Sequence, residues 1–226
     1  MSTFKVTVMK DGPYVVSGGV PLAKQHIVTN AEGESLDWRE GDKFPDAAQY
    51  ALCRCGHSAK KPFCDGTHRK VSFDGTETAS REPYASRAEV TDGPSLTLSD
   101  EQSLCAFGRF CDPHGQVWSL VTQEGDQARK WTIAEAGHCP AGRLVVTDKK
   151  TGQPIEPNLP QSIGLVEDTA QKVSGPIWVR GGIPVVAADG AQYEVRNRVT
   201  LCRCGASSNK PFCDGSHASI KFTDAK

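Results

Sequence analysis

The chain has 226 residues, 38% hydrophobic and 23% charged, with a formal net charge of −1. That balance excludes the strong basic field of a nucleic-acid or acidic-lipid binder. No stretch approaches the about 20 apolar residues of a membrane-spanning helix, and MSTFKVTVMK has no signal-peptide core. The expectation is a cytoplasmic protein with no membrane and no nucleic-acid partner.

Abundant Gly (22) and Pro (14) predict short strands and many turns. The first predicted strand covers Tyr14–Val16, inside GPYVVSGGVPL (12–22). Its paired glycines lead into no helix, so they form no dinucleotide fingerprint. A polar stretch, TNAEGESLDWREGDKFPDAAQ, then runs to the first cysteine cluster, LCRCGHSAKKPFCDGTH (52–68). Nine cysteines, six of them in two tight clusters, point in a reducing compartment to metal or redox chemistry rather than disulfides.

The middle of the chain carries PSLTLSDEQSLCAFGRFCDPHGQVW and EAGHCPAGRLVVTD. Ser99 and Gln102 predict a capping box opening a short helix before Cys105. Cys111 and Cys139 complete a set of three thiols, with His114 and His138 as nearby donors and Trp118 and Trp131 as core. Plain buried thiols are the alternative.

The second cluster, LCRCGASSNKPFCDGSH (201–217), matches the first at 13 of 17 positions. Upstream, GPIWVRGGIPV (175–185) matches 12–22, and predicts a strand over Ile177–Val179. Asp189–Gly190 predicts a hairpin turn. The two matched pairs are offset by 149 and 163 residues, so the first copy holds 14 extra residues, placed within the polar stretch. His57 is replaced by Ala206 and Lys60 by Asn209, which speaks against His57 as a ligand.

Both copies space their donors C-x-C-x8-C-x3-H: Cys53, Cys55, Cys64, His68 and Cys202, Cys204, Cys213, His217. Structural zinc usually takes C-x2-C knuckles. A C-x-C pair can seat two sulfurs on one iron, leaving the third cysteine and the histidine for a second. Two Cys3His zinc sites are the competing reading. Asp65–Gly66–Thr67 and Asp214–Gly215–Ser216 predict helix starts, with Asp capping and the dipole facing an anionic cluster. Lys60, Lys61 and Lys210 are solvated charges or a docking patch for an acidic partner.

The string C-x-C-x2-S-x3-P-x-C-D-G-[ST]-H resembles the signature of the CDGSH iron–sulfur (NEET) family over roughly residues 4–75 and 166–224. The resemblance implies that the eight residues hold two 2Fe–2S clusters. The middle resembles a divergent single-cluster ferredoxin over about 95–147. Gly108 stands where that run's middle cysteine would be, and Cys105, Cys111 and Cys139 would hold a 3Fe–4S or 4Fe–4S cluster. The resemblance implies a mainly β (small α+β) protein. It would comprise a CDGSH-type unit (1–80), a ferredoxin-like insert (81–160) and a second CDGSH-type unit (161–226), the outer two pairing within the chain about a pseudo-twofold. We expect no enzyme but a one-electron carrier with a redox partner. The alternative is a cluster donor or iron-homeostasis protein with an apo-acceptor.

Overall fold

The computed structural model describes residues 4–224. Short apolar runs broken by Gly, Pro and Asp form thirteen strands among them, as the turn-rich composition requires. The first half supplies β1 (Lys5–Val8), β2 (Tyr14–Ser17), β3 (Leu22–Thr29), β4 (Ser35–Lys43) and β5 (Gln49–Leu52). The middle supplies β6 (Glu89–Asp92), β7 (Leu96–Asp100), β8 (Leu144–Asp148) and β9 (Pro154–Ile155). The second half supplies β10 (Ser162–Asp168), β11 (Val173–Arg180), β12 (Val185–Val186) and β13 (Arg198–Leu201). Helices are brief: α1 (Thr67–Lys70), α2 (Tyr84–Arg87), α3 (Val117–Leu120), α4 (Asp126–His138) and α5 (Ser216–Ser219). The fold is mainly β, and among the described residues no helix is long and apolar enough to cross a membrane.

The two halves do not fold apart. One sheet runs β12-β1-β2-β5 and another β13-β11-β10-β3-β4, so each half lends strands to the other. The exchange obeys the internal repeat. Val6 pairs in parallel with Val185, and Ile163 pairs in parallel with Leu22, whose repeat equivalent is Val185. In each case the strand after a Gly-Gly turn adds to the hairpin of the other copy. The apolar faces of both sheets then close on one core containing Val6, Tyr14, Leu52, Ile163, Ile177 and Leu201. Burying one core rather than two small ones covers more apolar surface per residue, which matters for units this small. The extra residues of the first copy extend β3 and build β4. The predicted turn at Asp189–Gly190 is present, with Ala187 N donating to Ala191 O at 2.8 Å.

The middle residues form their own antiparallel sheet, β6-β7-β8-β9, with Leu98, Val117, Ala136 and Val146 in a separate core. The predicted capping box does not form. Ser99 lies within β7, and Glu101 instead accepts from Ser103 N at 3.1 Å to open a single 3-10 turn over Gln102–Leu104, ending at Cys105. Strand pairing with Val145 and Val90 holds Ser99 extended, which outweighs its local preference. This unit docks on the second half through Arg198, which is 1% exposed and reaches from β13 to the last carbonyls of α4. Glu156 balances its charge at 2.7 Å.

Candidate metal centre

Each cysteine loop grows from the end of a paired strand. Leu52 bridges Phe63, Cys53 N donates to Pro62 O at 2.8 Å, and Cys64 N donates to Ala51 O at 2.9 Å. The second loop repeats this with the Leu201–Phe212 bridge, Cys202 N to Pro211 O at 2.8 Å and Cys213 N to Thr200 O at 2.9 Å. Ser58 Oγ and Ser207 Oγ brace the loops from inside, donating to Phe63 O and Phe212 O at 2.6 and 2.7 Å. Asp65 clamps the first loop by accepting from Ala59 N at 2.8 Å and Thr67 N at 3.0 Å, and Asp214 clamps the second through Ser208 N and Ser216 N.

The donors fall into pairs. Cys53 Sγ lies 3.7 Å from Cys55 Sγ, and Cys64 Sγ lies 3.4 Å from His68 Nδ1. The second loop has 3.9 Å for Cys202–Cys204 and 3.4 Å for Cys213–His217. Two thiolates bound tetrahedrally to one ion at about 2.3 Å sit about 3.8 Å apart, and a thiolate and an imidazole sit about 3.6 Å apart. Each pair therefore has the bite of one metal. Among the described residues no three Cys, His, Asp or Glu side chains converge on a single ion. A closed Cys3His zinc site needs four donors on one centre; two donors and two donors fit a two-iron cluster.

Electrostatics agree with that grouping. Cys53 is pulled below the usual thiol range by a hydrogen bond from Cys55 and by backbone donors, while Cys55 is pushed up. Cys202 and Cys204 behave the same way. Two sulfurs this close share one proton unless a cation holds both as thiolates. His57 N and Gly215 N donate to Cys55 Sγ and Cys213 Sγ at 3.5 and 3.4 Å. The expected helix dipole is slight, because α1 and α5 are single turns capped by left-handed Gly66 and Gly215 rather than by Asp. Burial lowers His217 to about 4, favouring the neutral, metal-binding imidazole, with Asp168 opposing.

Sequence reasoning missed two shared residues. Arg54 and Arg203, 1% and 4% exposed, stand between the paired cysteines and keep a cation inside each loop. Arg54 donates to Gly75 O at 2.7 Å, and Arg203 pairs with Glu167 at 3.0 Å and with Asp224. Gly56 and Gly205 set the loops back to back: a Cβ on either would lie 2.4 Å from the carbonyl oxygen of Cys204 or Cys55. Their retention in both copies was the available signal.

In the middle unit, Cys105, Cys111 and Cys139 line one cavity of about 30 Å³ together with Pro140 and Arg143. Burial pushes Cys111 up to about 12. Neither histidine lines the cavity: His114 stacks on Trp131 at 5.0 Å, and His138 Nε2 faces Asp37 at 3.6 Å. Trp118 donates to Asp100 at 2.9 Å. Lys210 Nζ donates to Ser207 O at 2.6 Å, and Lys61 Nζ lies 6.0 Å above the Phe222 ring.

A family model described as iron-binding zinc finger CDGSH type matches residues 11–69 and 174–218. Over those segments, which hold both cysteine loops, the chain is similar to that iron-binding family. No curated protein and no solved structure gives a match.

Proposed function

We propose that the chain is an iron–sulfur protein with two 2Fe–2S clusters, one per CDGSH loop, and that it acts as a one-electron carrier. The carrying observation is the two-and-two grouping of donors at single-metal bite distances in both loops. Cys53 with Cys55, and Cys64 with His68, would each hold one iron; Cys202 with Cys204, and Cys213 with His217, repeat the arrangement. When bound, such a cluster supplies one-electron oxidation and reduction, at a potential raised by histidine ligation. The chain's own part is to keep the His217 imidazole neutral by burial and to aim the His57 and Gly215 backbone N–H groups at sulfur. Those N–H groups favour the reduced, more anionic state.

Iron, acid-labile sulfide and EPR on anaerobic protein test this. About four irons per chain correspond to the two loops alone, and seven or eight to a third cluster on Cys105, Cys111 and Cys139. Colourless, sulfide-free protein with zinc in the loops refutes it. A second reading, cluster donation to an apo-acceptor, draws on the partly exposed His68. Transfer of visible absorbance to an apo-ferredoxin would favour donation, and reversible titration with retained clusters would favour the carrier.

A further inference from the structure

Comparing the two loops position by position exposes a difference that their near-identical sequences hide. Gly66 has no atom within 4 Å of a built Cβ, whereas one on its equivalent, Gly215, would lie 3.2 Å from Cys105 O and 3.4 Å from Phe107 Cβ. Cys64 and His68 are partly exposed; Cys213 and His217 are 2% and 4% exposed.

Three segments cover the second loop. The 103–107 turn sits over Gly215, and Asn209 Nδ2 donates to Ser103 O at 2.9 Å. The strap after α1 crosses its flank, with Thr78 N and Ala79 N donating to Lys210 O at 2.8 and 2.9 Å and Thr78 Oγ1 donating to Ser208 O at 2.6 Å. Tyr14, fully buried, donates to Cys202 O at 2.9 Å and Pro211 O at 3.0 Å. Its repeat equivalent, Ile177, has no hydroxyl to offer the first loop.

We propose that the first loop is the chain's exchange port and that the second loop is a sealed internal site. This rests on both loops holding clusters.

The test follows iron loss from oxidised, anaerobic protein in excess EDTA at pH 7.5, by visible absorbance. Each ferric ion exchanges protein donors for chelator donors, the imidazole leaves as the neutral ring, the thiolates take up protons, and sulfide leaves as hydrogen sulfide; no electron changes hands. The expected decay has two equal phases differing by about tenfold or more, since the sealed loop must first open locally. Cys213→Ser should keep only the fast phase and Cys64→Ser only the slow one. Phe107→Gly should speed the slow phase alone; glycine suits the left-handed backbone there, φ 55°, so folding is spared. Equal rates for both loops, or a slow phase indifferent to Phe107→Gly, overturn the proposal. Protein without iron and sulfide overturns the cluster assignment instead, a separate and visible outcome.

Discussion

Gly56→Ala perturbs the seam between the two loops. Gly56 has φ 78°, and a Cβ there would lie 2.4 Å from Cys204 O and 2.8 Å from Cys204 C. No real Cβ contact is that short, so the backbones would have to part by about 1 Å, at an overpacking cost of about 1–3 kcal/mol. The left-handed φ adds about 1–2 kcal/mol. The expected total is about 2–5 kcal/mol, a large share of a typical domain's stability. Gly66→Ala is the internal control: φ is 87° with nothing within 4 Å, so only the backbone term of about 1–2 kcal/mol applies. Urea unfolding, read by tryptophan fluorescence and visible absorbance on the same samples, compares the two. Gly56→Ala should lower both midpoints well beyond Gly66→Ala. Adding Gly205→Ala should cost less than its own single change, because the seam is already open. Equal losses for Gly56→Ala and Gly66→Ala would refute the back-to-back packing.

Acid should strip the second loop last. His217 falls from 6.5 to about 4 in the fold, so between those values the unfolded chain binds a proton that the folded one does not. Stability from this group, about 3 kcal/mol, is present above pH 6.5 and lost as pH falls through 4. Visible absorbance should bleach in two steps with the partly exposed His68 loop first, and one coincident step contradicts this. Tyr14→Phe leaves the Cys202 and Pro211 carbonyls without their donor and should cost about 1–3 kcal/mol. It should also hasten iron loss from the second loop, whereas an unchanged slow phase would show that Tyr14 does not pin it. Glu135 is raised to about 7 by burial. Its contribution is therefore present below pH 4.5 and lost as pH rises through 7. Glu135→Gln should gain about 3 kcal/mol over the parent at pH 9 and nothing at pH 4, judged by unfolding midpoints; parallel pH curves would refute it.

The donor residues were legible because local spacing alone brings them near one another. Two positions along an extended turn put Cys53 beside Cys55, and the Asp65–Gly66 turn into α1 puts Cys64 beside His68. The strands were legible for the same reason, as apolar runs between turn residues. Ser99 misled because a local capping preference was outweighed by strand pairing on both sides. Arg198 could not be read as a cap for α4, since it lies sixty residues beyond that helix's last residue and only folding brings them together. The strand exchange was equally hidden, for Val6 finds Val185 through a parallel pairing that no local pattern encodes.

The repeated string by itself determined which eight donor side chains lie together, in what pairs, and that the arrangement occurs twice. Tertiary structure decided that these two gripping places are unlike. Identical ligand geometry depends on neighbours within a dozen residues, and those are shared. Burial depends on whatever else packs nearby, and Tyr14, Thr78 and Phe107 reach the second loop from far along the chain while Cys64 and His68 of the first stay partly exposed.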